Sequence, residues 1–282
     1  MTPIVFLAVL LAALLHATWN ALVKGGADKY ASMLAITLGH VPPALLLLPF
    51  VAVPGPAVWP YLAAGVALHV GYQLFLVAAY RLGDLTHVYP IARGSAPAII
   101  AAVSLALGLT MTRHEWIAVG MIVAGILSLA IVRGGDGRRN PRAAAAALAT
   151  GAFIAAYSLV DGWGARVADS ALSYWCWAAL GNAVAFVAVT LPVRPDAPRL
   201  VLREAGLRRL AIVGGGASFA AYALVTWAFT LAPIALVSAL RETSIVFALL
   251  IGVGFMGERL SLMKVLSTLV TIAGAAMLRL AR

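Results

Sequence analysis

Acid is scarce in this sequence: ten Asp and Glu in 282 residues, against twenty Lys and Arg. Charged residues of both signs make up only 11% of the chain, where soluble domains carry roughly a quarter, so a water-facing surface cannot be assembled on all sides. There is one cysteine, Cys176, which excludes an intramolecular disulfide. Flanked by Trp175 and Trp177, it reads as a buried thiol and leaves the redox compartment open. No glycine-rich segment has a strand before it and Lys-Ser/Thr after it, which excludes a nucleotide-phosphate loop. No metal and no cofactor is expected, and His114-Glu115 alone is too little for an acid/base or metal site. The formal charge of +10 comes without a basic face interleaved with aromatics. Nucleic acid is therefore not an expected partner, and basic loops facing anionic lipid headgroups account for the charge.

Apolar residues fill the space that charge leaves. They form 63% of the chain, and mean hydropathy is +0.99. Ten stretches are long enough to cross about 30 Å of hydrocarbon at about 1.5 Å per residue; they run over 3–23, 31–51, 58–80, 85–108, 115–132, 142–160, 170–191, 208–231, 234–256 and 261–280. Short breaks separate them, such as Gly25-Gly26, Pro54-Gly55-Pro56, Gly83-Asp84, Gly134 to Gly137 and Pro192 to Pro198. The runs lack period-2 alternation, which excludes a barrel, and backbone groups in lipid then require helices. The first run, Ile4 to Val23, has no Lys or Arg ahead of it and exceeds the apolar core of a signal peptide, so it reads as a retained span. The fold class is an all-α integral membrane protein of about ten transmembrane helices, with the lipid bilayer as its medium.

The polar segment Arg133 to Arg142 divides the chain into two halves of five spans, residues 1–133 and 142–282, with a linker at 134–141. Shifting the sequence by 150 places Gly65, Ala67, Tyr72, Leu74 and Ala78 on Gly215, Ala217, Tyr222, Leu224 and Ala228. A shift of 148 places Arg93 on Arg241 and Ser95 on Thr243, and 149 places Ala124-Gly125 on Ala273-Gly274. These matches read as an internal repeat. An odd number of spans per half makes it two inverted five-helix repeats, which suits alternating exposure of a central site. Loops after the odd-numbered spans hold 14 Lys and Arg, whereas the other loops and the termini hold 4, namely Arg113, Arg166, Arg279 and Arg282. The positive-inside rule then puts the loops at 133–142 and 194–209 in the cytoplasm and both termini outside, across the inner (plasma) membrane of the cell.

The segments LLHATWNALVKGG (Leu14 to Gly26), HVYPIARGSAP (His87 to Pro97) and APIALVSALRETSIVFALLIGVGFMGERL (Ala232 to Leu260) resemble the EamA family of the drug/metabolite transporter superfamily. The closing Gly257-Glu258-Arg259-Leu260, followed by an apolar span with Ala273-Gly274, is the most specific element, while Leu109-Thr110-Met111 departs from the acidic turn the family often has in the first half. The resemblance implies a ten-helix secondary carrier with two five-helix repeats around a central cavity, usually exporting amino acids or other small metabolites.

Arg93 and Arg241 are the only Lys or Arg well inside the expected spans, where a charge costs from a few to more than about ten kcal/mol. Either both face a wet cavity and grip an anionic group with the planar guanidinium fork, or they pair with Glu242, Asp161 or helix carbonyls and hold the bundle together. Glu242 and Asp161 are candidates for proton coupling. The alternative makes Glu242 a permanent counter-ion and Asp161, close to the end of the sixth span, interfacial. Arg241 and Glu242 point about 100° apart on a helix and need not be partners. His16, Trp19 and Asn20 share one face of the first span, and His69, Tyr72 and Gln73 share one of the third. Tyr89, Tyr157 and Tyr222 extend this candidate substrate lining; hydrogen bonding between helices is the competing role. Pro90, Gly94 and Pro97 bracket Arg93, which predicts a kinked or unwound fourth span. Gly214-Gly215-Gly216 are expected to be a close-packing surface. The expected function is secondary transport, as an exporter rather than an enzyme, of a small polar, anionic or zwitterionic metabolite such as an amino acid, by alternating access. The alternative is a membrane-embedded enzyme acting on a lipid-linked or phosphorylated substrate. No oligomeric state is legible.

Overall fold

The computed structural model describes residues 1–24, 28–82, 85–109, 111–131, 141–256 and 262–280. Its elements, among the described residues, are helices joined by turns, as apolar runs in lipid require. In chain order they are α1 (Pro3–Lys24), α2 (Lys29–Leu38), α3 (Val41–Leu47), α4 (Trp59–Leu82), α5 (Leu85–Ala106), α6 (Arg113–Ile131), α7 (Pro141–Val167), α8 (Ala171–Thr190), α9 (Ala197–Arg203), α10 (Ala205–Arg209), α11 (Gly216–Leu231), α12 (Ile234–Arg241), α13 (Ser244–Met256) and α14 (Leu262–Leu280). A π-helical turn, Leu210–Gly215, joins α10 to α11. Eight helical segments of the described residues are long and apolar enough to cross a membrane, and Val265–Leu280 is a shorter apolar helix. With α6 at the place of the fifth span, every expected stretch contains helix, and the chain is a multi-pass membrane protein. The motif Gly257 to Leu260, Gly25-Gly26, Gly83-Asp84, Thr110 and most of the expected linker lie outside the described residues.

Local chemistry sets the helix starts. Asp28 caps α2 by accepting from Ala31 N at 3.1 Å, and Ser170 caps α8 by accepting from Ser173 N at 3.3 Å. Before α6, Thr112 N donates to Glu115 Oε2 at 2.8 Å while Glu115 N donates to Thr112 Oγ1 at 3.3 Å, a reciprocal capping box. Glu115 is thus used structurally.

Packing follows the membrane pattern of small residues inside and large aliphatics outside. Ala12, Ala17, Ala92, Ala147 and Ala179 are fully buried, whereas Leu7, Leu46, Val184 and Leu280 face outward. The closest helix approach joins the end of α2 to the π-helical turn. A methyl on Gly39 would stand 2.0 Å from the Ala211 carbonyl oxygen, and one on Gly215 2.5 Å from Gly39 Cα. Gly214 and Gly215 are the close-packing surface expected of them; a methyl on Gly216 would meet nothing.

Numbering the spans 1 to 10, with α2–α3, α10–α11 and α12–α13 as the second, eighth and ninth, gives an ordered set of neighbours. Span 3 packs on 6 and span 8 on 1; 4 packs on 6 and 9 on 1; 3 packs on 7 and 8 on 2; 4 crosses 9, and 5 lies along 10. Exchanging the first five spans with the last five returns this set, whereas the packing of 6 on 8 has no comparable contact between 1 and 3.

Of the two forms expected of span 4 around Arg93, kinked or unwound, the unwound one is not found. Span 4 is a continuous helix through Pro90 and Pro97, so it is not unwound around Arg93. The interruption falls in span 9, between α12 and α13 at Glu242-Thr243, where no proline stands.

Candidate functional site

The crossing of spans 4 and 9 brings Arg93 on α5 to Arg241 at the end of α12. Arg93, Arg241 and Glu242 are each no more than 3% exposed. The helix stops at Arg241, and the next turn is tightened to i→i+3 bonds, with Thr243 N donating to Leu240 O at 3.1 Å and Val246 N to Thr243 O at 2.9 Å. At this break the long arginine side chain folds back onto its neighbour. Arg241 Nε and Nη2 both donate to Glu242 Oε1, at 3.2 and 3.1 Å, and Nη2 also reaches Ser158 Oγ on α7 at 3.4 Å. The pairing that helical geometry leaves open is therefore made, at the point where the helix ends.

The other carboxylate oxygen, Glu242 Oε2, lies 2.6 Å from Arg93 Nε, an ion pair in distance but not aligned as a hydrogen bond. Arg93 Nη2 donates to Ser244 Oγ at 3.2 Å, and its guanidinium carbon lies 5.7 Å from the centroid of the Tyr89 ring. Arg93 Nη1 is buried with no hydrogen-bond partner among the described residues. Two guanidinium groups thus share one carboxylate, and the cluster carries one uncompensated positive charge.

A second cluster lies next to it on α7. Ser158, which touches Arg241, and Asp161 are three residues apart, hence on one face with Cβ atoms roughly 5–6 Å apart. Asp161 is fully buried, not interfacial, because α7 continues to Val167. Its Oδ1 accepts from Tyr174 OH at 2.8 Å; its Oδ2 accepts from Tyr222 OH at 2.6 Å and stands 2.8 Å from His69 Nε2. Gly65 makes room for it, since a methyl there would sit 2.5 Å from Oδ1. Tyr157 joins the two clusters: its ring stacks on His69 at 4.1 Å, and Tyr72 and Tyr222 meet it edge-on at 5.5 and 5.9 Å. Tyr72 and Tyr222, the pair related by the shift of 150, therefore pack on one ring.

Of the remaining expected residues, His16 lies within electrostatic reach of both Arg93 and Arg241. Trp19 is buried and donates from Nε1 to His16 Nδ1 at 3.2 Å, while Asn20 donates to the His16 carbonyl at 2.8 Å, so these polar groups bond within α1. Gln73 points to α2, donating to Thr37 Oγ1 at 3.0 Å. Ser158, Ser244 and Tyr174 were not anticipated. A single serine or tyrosine in an apolar span carries no periodic signal, and Tyr174 had been visible only as a neighbour of the Trp175-Cys176-Trp177 run. Among the described residues no group of three His, Cys, Asp or Glu gathers as metal ligands.

No curated protein matches the chain. Among 28 matching solved chains, one described only as the crystal structure of a protein superposes with a TM-score of 0.74. The alignment covers 100% of this chain and 99% of that one at 18% identity, a likeness that shows the fold alone. The profile of the EamA-like transporter family matches residues 141–280, the segment that carries Ser158, Asp161, Tyr174, Tyr222, Arg241 and Glu242. Through this segment the chain belongs to the EamA-like transporter family.

Proposed function

We propose that the protein is a secondary carrier that binds a small zwitterionic metabolite, such as an amino acid, between the arginine layer and the Asp161 layer. The observation that carries this reading is the pair of buried arginines sharing Glu242, with Arg93 Nη1 unpartnered. A cargo carboxylate supplies the missing negative charge and the missing acceptor, and the guanidinium fork suits it. The ammonium end then lies toward Tyr157 and the Asp161 carboxylate, where ring faces and an anion both favour a cation. Glu242, held between two guanidinium groups, serves as counter-ion. The proton-coupling role falls to Asp161, whose Oδ2 stands 2.8 Å from His69 Nε2.

Alternating access is the reading that the exchange of neighbours between the two halves supports, since inverted repeats let one site open in turn to each side. Export, the inner membrane and termini outside rest on the family resemblance and on the distribution of Lys and Arg in the loops.

The test is counterflow in liposomes loaded with amino acids, neutral analogues and amines. Wild-type protein should exchange zwitterions saturably and amines poorly. Arg93→Lys and Arg241→Lys should weaken binding by roughly 1–3 kcal/mol, the scale of a hydrogen bond to a charged group, while remaining folded. Absence of saturable exchange by wild type, or unchanged affinity in both well-folded variants, would remove this reading.

A further inference from the structure

The connection between α8 and α10 lies outside the spans that end at Thr190 and begin again at Ala205, which puts α9 at the edge of the bilayer. Arg199 and Arg203 stand four residues apart on α9, hence on one face. Both are exposed, and both line a groove of about 360 Å³ together with Pro195, Asp196 and Leu200. Of the other charges nearby, Glu204 and Arg209 are exposed with no side-chain partner among the described residues, and Arg194 and Arg208 are already used. Arg194 reaches Asp28 at 2.6 Å and Asp196 at 3.2 Å, so the one acid of the groove is compensated from outside it. Arg208 Nη1 donates to the carbonyls of Leu202 and Arg203 at 3.0 and 2.8 Å, at the end of α9. The guanidinium groups of Arg199 and Arg203 have neither hydrogen bond nor ion pair among the described residues. Leu200 lines the groove itself, and along the same stretch of chain Val193, Leu202 and Ile212 are 62%, 71% and 75% exposed.

Two unpaired guanidinium groups four residues apart, at the bilayer edge and beside outward-facing aliphatic side chains, match one chemistry: a phosphodiester carrying acyl chains. We infer that the α9 groove binds the headgroup of an anionic phospholipid, its phosphate between Arg199 and Arg203 and its chains among the exposed aliphatics. The planar fork gives each arginine two parallel donors for phosphate oxygens, and the apolar surroundings separate a lipid from a soluble anion.

The test uses the full chain in neutral detergent, with unfolding midpoint and bound lipid by native mass spectrometry as readouts. The probes are phosphatidylglycerol, phosphatidylcholine and inorganic phosphate. Phosphatidylglycerol should raise the midpoint in a salt-sensitive way, and the other two should not. The double variant Arg199→Gln/Arg203→Gln should unfold at the wild-type temperature without lipid and lose roughly thirty-fold in phosphatidylglycerol affinity, about five-fold per arginine at a membrane surface. Arg199→Lys/Arg203→Lys, which keeps both charges, should retain most of the effect. Equal stabilisation by phosphatidylcholine, equal stabilisation by inorganic phosphate, or undiminished phosphatidylglycerol binding by the glutamine variant would each overturn the assignment.

Discussion

Glu242 touches Arg93 at 2.6 Å and Arg241 at 3.1 Å with no exposure to solvent, so its removal leaves two cations facing each other in an apolar interior. Breaking a buried pair in this way costs about 3–5 kcal/mol. Glu242→Gln should therefore lower the unfolding midpoint markedly, and more than Arg93→Gln, which leaves a balanced Arg241–Glu242 pair. An anionic cargo should restore part of the loss in Glu242→Gln by binding the folded state. Equal midpoints for the two variants would show that the charge balance of the cluster does not govern stability. Only one half of the molecule can carry this acid. The shift of 148 that aligns the arginines puts Gly94 opposite Glu242, and a methyl on Gly94 would already stand 2.9 Å from Leu127 Cδ2.

At the scale of elements, the helices were legible from apolar runs of membrane length, because lipid leaves the backbone few alternatives. Which helix breaks was not. Proline signals a break by removing one donor and crowding one carbonyl, yet neighbouring helices tolerate that defect in a bundle, and α5 runs through Pro90 and Pro97. Span 9 has no proline but holds two adjacent buried charges, and the turn at Glu242-Thr243 lets both reach their partners. Residue spacing likewise identified faces, such as His69 with Tyr72, but not what lies opposite. Asp161 draws its partners from α4, α8 and α11, and that convergence is a property of packing. The contact between α2 and the π-helical turn yields a sharp contrast in the same element. Gly215→Ala must push Gly39 away and should lower the unfolding midpoint. Gly216→Ala meets nothing and should leave it unchanged or raise it, as alanine stiffens a helix by roughly 0.5–1 kcal/mol. Similar midpoints for the two would show that the close approach contributes little.

Across the whole molecule, the ends of the spans are tied in two separate groups. Asp28, before span 2, pairs with Arg194, after span 7; Ser173, at the start of span 7, donates to Ala52 O, after span 2, at 2.5 Å, and Arg166, at the end of span 6, donates to Phe229 O and Ala232 O near the end of span 8. The loop after span 1 thus meets the loop after span 7, and those after spans 2, 6 and 8 are tied together, as alternate crossings require. Hydrogen bonds from Arg194 hold the Asp196 carboxyl below its ordinary range, so this pairing stays charged at neutral pH and is lost only as pH falls through that lowered value. Cysteines placed at Val53 and Asp196 should differ in intact cells, the first reacting with an impermeant reagent and the second protected; reaction at 196 from outside would reverse the topology. The exchangeable set of neighbours has one more consequence. All eight of those relations join a span before the central connection to a span after it, so covalent continuity between Ile131 and Pro141 contributes little to the packing that builds the site. A two-piece protein, with the halves made as separate chains in one cell, should assemble by complementation and regain counterflow. Either fragment alone, with Arg93 deprived of Glu242 and Ser244 or Asp161 deprived of His69, should be degraded.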